Sequence, residues 1–154
     1  MSGAFFGKPQ PGVVAGGFHV SVHVVPVFDG RLVVFDITAP AARGRWLPWT
    51  VAPFGANPWQ IAAELADDWL QGAIEDLSLA DVLSYEVPGG GWELAIVFRA
   101  KLTALPREEP DRERAPVLFE RGAFDAIGTF APVDLERWVN DRLVAGNASA
   151  RGGG

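Results

Sequence analysis

The stretch from Leu47 to Gln71, LPWTVAPFGANPWQIAAELADDWLQ, constrains the chain more than any other. It reads as a strand end, a Gly/Pro turn and a helix with an explicit start. Asn57 can serve as N-cap, because its side-chain oxygen can accept from an orphan N–H of the first turn. Pro58 at the first helical position gives up an N–H that had no partner. Gln60, three residues after Asn57, can reach back to the cap backbone, a variant of the capping box. Ile61, Ala62, Leu65, Ala66 and Trp69 then recur at helical spacing as an apolar stripe. Glu64, Asp67, Asp68 and Gln71 form a polar, mostly acidic stripe, and Gly72 is a stop signal.

That arrangement resembles the Nudix hydrolases. Their box is G-x5-E-x7-R-E-U-x-E-E-x-G-U, with U a bulky aliphatic residue, inside a longer run W-x-L-P-G-G-x-V-x-x-G-E-[ST]-P-x-[EQ]-A-A. Arg45-Trp46-Leu47-Pro48, Gly55 and Asn57-Pro58-Trp59-Gln60 keep this frame without a gap. In that register Trp49 and Thr50 replace the two glycines and Ala56 replaces the first Glu. R-E-U-x-E-E becomes Glu64-Leu65-Ala66-Asp67-Asp68-Trp69, so one metal-ligand position, Asp68, stays acidic. A second register deletes one residue and aligns Glu64-Leu65-Ala66-Asp67-Asp68 with E-U-x-E-E, keeping three carboxylates. It turns the helix by about 100° relative to its cap. The gapless register keeps the cap and is preferred here.

The resemblance implies an α+β fold, a Nudix-like α/β/α sandwich with a mixed β-sheet flanked by helices over residues 18–144. Residues 1–17, rich in Gly and Pro, read as an N-terminal arm packing through Phe5 and Phe6, with a lid or dimer contact as the alternative. Residues 145–154 read as a disordered tail. Phe18 to Phe28 is a strand, with Pro26 marking a bulge or an edge. Asp29-Gly30 is a hairpin turn, and Arg31 to Ile37 is the returning strand. Arg45 to Trp49 is a short strand and Glu75 to Tyr85 another. Pro88 to Gly91 is a hairpin tip. Trp92 to Ala104 is the clearest strand, with Leu94, Ile96, Phe98 and Ala100 on one side. Residues 106–116, PREEPDRERAP, read as a solvated charged loop. Val117 to Glu120 is a strand, Arg121 to Ile127 a helical turn, and Pro132 to Val144 a closing amphipathic helix.

Composition excludes several functions. With 13 basic against 19 acidic residues the net charge is −6, which argues against nucleic acid as partner. There is no cysteine, hence no disulfide, thiolate metal site or Cys nucleophile. No apolar run reaches the roughly 18 residues of a membrane span, so the expectation is a soluble, cytoplasmic protein. His19 and His23 share a face of a strand but lie about 13 Å apart, too far for one ion. Ser2, Ser21, Ser78, Ser84 and Ser149 have no local activating context.

Two functions follow from the resemblance. One is a non-hydrolytic Nudix-fold protein with a degenerate box. It would bind a nucleotide-like or other small ligand, or a protein partner, in the former substrate cleft, as monomer or homodimer. Trp46, Trp49, Trp59 and Trp69, four of the six tryptophans, are its candidate ligand-binding residues, and no cofactor is expected. The other is a divergent hydrolase of a nucleoside-diphosphate-type substrate. Glu64 and Asp68 would then be catalytic, and Glu64, Asp67 and Asp68 would hold Mg²⁺ or Mn²⁺.

Overall fold

The computed structural model describes residues 18–87, 91–119 and 130–140. The arm at 1–17, the turn at 121–127, the hairpin tip at 88–90 and the tail at 145–154 lie outside the described residues.

Strand β1 (Phe18–Phe28) is the axis of the sheet. Along one edge it pairs in parallel with β6 (Gly91–Leu102), from Phe18↔Trp92 to Val27↔Lys101. β6 in turn pairs antiparallel with β5 (Ile74–Val87), which forms the outer edge on that side. The other edge of β1 is divided. Ser21–His23 pair with β4 (Trp49–Val51), and only Val27 and Phe28 pair with β2 (Arg31–Ile37). β2 carries β3 (Gly44–Trp46) and β7 (Arg114–Phe119). Pro26 is explained by this division. The Val24 N–H points to the divided edge, where it donates to the Pro48 carbonyl at 2.9 Å. Two residues on, the N–H that Pro26 lacks would fall between the β4 and β2 contacts, where no ladder partner is needed. Asp29 (φ +51°) and Gly30 (φ +71°) make the expected two-residue turn.

Among the described residues, one helix covers each face. Helix α1 (Pro58–Trp69) sets Ile61, Ala62, Leu65 and Ala66 against Val22, Val24, Val33, Phe35, Phe98, Ala100 and Leu102. Helix α2 (Pro132–Val139) sets Leu135, Trp138 and Val139 against Val25, Val27, Leu32, Val34, Leu47 and Val97. The mixed sheet between two helices is the expected α+β sandwich. Trp138 also donates its indole N–H to Asp81 on β5 at 3.0 Å, and Arg137 pairs with the same carboxylate.

Several boundaries differ from the sequence reading. β5 runs 14 residues; Leu77 and Leu83 pack inward on opposite faces, Glu75, Asp76 and Glu86 are exposed, and Asp81 turns to Trp138 and Arg137. The segment Arg45–Trp49 is two strands, since Leu47-Pro48 breaks the ladder. The charged loop is shorter than expected: a 3₁₀ turn spans Pro110–Arg112, and β7 already starts at Arg114. α1 stops at Trp69 rather than Gln71.

Candidate functional site

The start of α1 is built as its sequence dictates. Asn57 is extended (φ −81°, ψ 119°), and its side chain accepts from the Trp59 N–H at 2.9 Å. Gln60 does not return to the cap but donates to Glu64 Oε1 at 3.3 Å. At the other end Gln71 is left-handed (φ +57°), an uncommon state for a residue with a Cβ. Its amide is held on both sides by the Arg107 backbone, accepting from the N–H and donating to the carbonyl at 3.0 Å each. The charged loop is thereby fastened to the helix end.

Leu65 is buried in the α1 core. Its side chain packs on the sheet, and Glu64, Asp67 and Asp68 share the exposed side of α1.

These three carboxylates do not fit a divalent ion as they stand. Asp68 pairs with Arg112 and lies 3.7 Å from Arg114 Nη1. Arg114 is only 7 % exposed and is fixed on every side. It donates to the Asp68 carbonyl at 3.1 Å and to Glu109 Oε2 at 2.9 Å, and its guanidinium lies 4.4 Å over the Trp69 ring. Glu64 is engaged by Gln60. Among the described residues no three His, Asp or Glu side chains gather as a metal site. Hard cations need several converging oxygens, and a fixed guanidinium beside Asp68 repels a second cation. Arg114 and Glu109 were missed by the sequence reading, because they sit in a charge run that looks solvated.

The four candidate tryptophans fall into two groups. Trp46 is buried, donates to the Ala42 carbonyl, and stacks on Trp49 (centroids 6.0 Å, planes 5° apart). Trp49 in turn stacks on His23 at 5.8 Å, and His23 meets Phe130 edge-on at 5.2 Å. Trp59 and Trp69 belong to the opposite face, where their rings meet Phe98 at 4.7 Å and Phe35 at 5.2 Å. Trp59 is 48 % exposed. Trp49 and Thr50 are strand residues opposite His23 and Val22; they do not form a glycine-like turn.

Next to Trp49, on the α2 face, β1 carries a buried polar row of His19, Ser21 and His23. The Ser21 hydroxyl and His23 Nε2 are 2.9 Å apart, and both residues are fully buried. Neither is open to solvent. Burial lowers the pKa of His23 to about 3, so it stands neutral. His19 Nε2 contacts Glu93 Oε1 on β6. Burial raises the Glu93 pKa, against opposing pulls from His19 and the Ser21 hydroxyl. Alternate polar positions at 19, 21 and 23 in an apolar strand were the sequence signal for this row. Glu93 gave none, because its strand neighbours do not distinguish it from a solvent-facing residue.

No protein-family model matches the chain. No curated protein matches it either. Solved structures do. A MutT Nudix hydrolase from Burkholderia pseudomallei superposes with a TM-score of 0.61 at 24 % identity, covering 80 % of this chain and 98 % of that one. A Nudix hydrolase from Nitrosomonas europaea gives 0.51 at 12 % identity, over 88 % and 89 % of the two chains. The chain has the fold of the Nudix hydrolases.

Proposed function

We propose that this chain is a Nudix-fold binding protein with a degenerate box, taking a nucleotide-like or other small ligand, or a protein partner, without hydrolysing it. The observation that carries this reading is the fixed cation at Asp68. Arg114 is buried, and Glu109, the Asp68 carbonyl and the Trp69 ring hold it in place. It neutralises the carboxylate that both alignments keep at a metal-ligand position. Paired strand residues at 49 and 50, in place of glycines, support the same reading, because close backbone approach to a diphosphate is what glycine permits. The former substrate cleft is the expected binding site; of the candidate tryptophans Trp59 and Trp69 share the α1 face, while Trp49 lies on the face of His23.

The test is a Mg²⁺ and Mn²⁺ titration with a panel of nucleoside diphosphate derivatives. The expected result is no turnover, and metal binding no tighter than about millimolar, as for any acidic surface carrying few converging oxygens. Turnover that is lost in Asp68→Ala would refute the reading.

A second reading has its own observation. The buried Leu65 puts Glu64, Asp67 and Asp68 on one exposed side of α1, the spacing of the family's ligands. If that side serves a divergent hydrolase, Arg112 and Arg114 must release Asp68 when metal and substrate arrive. Metal-dependent turnover would be its signature.

A further inference from the structure

Helix α1 covers only one end of its sheet face. On β6 the positions Trp92, Leu94, Ile96 and Phe98 alternate onto that face, and α1 packs over Phe98, Ala100 and Leu102. Leu79 on β5 lies opposite Phe98 and Val82 opposite Ile96, while Val20 on β1 lies opposite Leu94. The shift in register between Leu79 and Asp81 keeps Leu79 and Val82 on the same side. Beyond the helix this face is partly exposed: Leu79 by 48 %, Val82 by 49 % and Trp92 by 39 %. Trp59, half-exposed and standing on Phe98, marks the border with α1. Four of the seven large apolar side chains exposed among the described residues thus share one strip. Single exposed apolar residues are ordinary, but a contiguous strip marks a contact surface.

The dimensions of the strip select its occupant. From Trp92 to Phe98 it runs about 20 Å, and three strands make it about 10 Å wide. That footprint fits one extended segment, whereas a stable contact between two copies covers about 800 Å² on each. The β5 border opposes a second copy as well. Glu75, Asp76 and Glu86 are exposed along it, and pairing two copies there would bring like charges together.

The chain itself carries a segment of the right kind. β1 begins at Phe18, whose backbone pairs with Trp92 at the end of the strip. The stretch from Phe6 to Phe18 spans up to about 40 Å when extended, twice the length of the strip. Residues 1–17 contain Phe5, Phe6, Val13 and Val14, one cation in Lys8, and no acidic residue. Pro9 and Pro11 have no N–H to give to a ladder, so the segment suits the apolar face rather than the outer edge of β5. We propose that residues 5–14 lie across this strip as an internal strap, with Phe5 and Phe6 seated among Leu79, Val82 and Trp59 and with Lys8 towards the acidic β5 border. The inference holds whether or not the protein hydrolyses a diphosphate.

The chain has no cysteine, so an introduced pair reports alone. In the full chain, Phe6→Cys with Val82→Cys should form a disulfide within one molecule on mild oxidation, read by mass and by non-reducing gel. The control pairs Phe6→Cys with Val133→Cys, an exposed site on α2 at the opposite face. Both pairs share the tether, so a seated strap favours the first by about tenfold or more in rate. Phe5→Asp with Phe6→Asp should release the strap and raise the fluorescence of an added apolar dye several-fold, an increase that Val82→Asp removes. Equal linkage of the two pairs, or dye fluorescence that the Phe5 and Phe6 changes leave as it was, would overturn the proposal. A disulfide between two chains would overturn it too, and would assign the strip to a second copy.

Discussion

Acid should destabilise this protein through one residue, His23, well before most carboxylates titrate. The ring is fully buried, stacked on Trp49 and edge-on to Phe130. Burial depresses its pKa from 6.5 to about 3. Below pH 6.5 the unfolded chain binds a proton that the folded chain refuses, so stability falls as pH falls through that window. At about 1.36 kcal/mol per pH unit, the loss is roughly 2 kcal/mol by pH 5. That is a large share of a typical total of about 5–15 kcal/mol. Glu93 works in the opposite sense. Burial raises its pKa, so its contribution is lost as pH rises and regained as pH falls. The wild-type curve alone mixes the two, and a difference curve separates them. His23→Phe keeps a ring against Trp49 and Phe130 and removes the titrating nitrogen. It also costs the Ser21 contact, a nearly constant offset of about 1 kcal/mol. Urea midpoints at several pH values from 7.5 to 5 should show the variant about 1 kcal/mol less stable than wild type at pH 7.5 and about 1 kcal/mol more stable at pH 5, a relative change of about 2 kcal/mol. Parallel curves would show that His23 is not held neutral by burial, and the reasoning would fail.

Three further outcomes follow from named contacts. Asn57→Ala should lower stability by about 1 kcal/mol in chemical denaturation, because the Trp59 N–H loses its acceptor; an unchanged midpoint would remove Asn57 as the cap. Trp49→Ala should cost about 3 kcal/mol, since the ring lies between Trp46 and His23. A folded variant of wild-type stability that had lost ligand binding would instead make Trp49 a surface for ligands. Arg114→Met should cost roughly 3 kcal/mol by stranding Glu109, and it should tighten Mg²⁺ binding measured by calorimetry. If Mg²⁺ affinity does not change, Arg114 is not what keeps the ion from Asp68.

Much of the fold was legible because local signals agreed with each other. Asn57-Pro58 fixes where α1 begins, and Asp29-Gly30 fixes the turn between β1 and β2. The alternation in β6 assigns Ile96, Phe98 and Ala100 to the α1 core. The failures come where a partner distant in sequence decides. β7 begins at Arg114 because Ile37 lies opposite it, not because its own residues announce a strand. Gln71 adopts a glycine-like backbone because Arg107, 36 residues away, grips its amide. No window around either position contains its partner.

The same distinction governs the site. The acidic stripe Glu64, Asp67, Asp68 was visible from helical spacing alone, but its chemistry was not. Whether a carboxylate is a metal ligand or half of an ion pair depends on what stands opposite it, and here that is Arg112 and Arg114 from beyond β6. The His19–Glu93 pair is the sharper case. The two residues are 74 apart, and a parallel pairing of β1 with β6 brings them together. A parallel partner needs a long crossover and carries no turn signature. Once that register is known, the contact of His19 Nε2 with Glu93 Oε1 follows from their positions opposite each other.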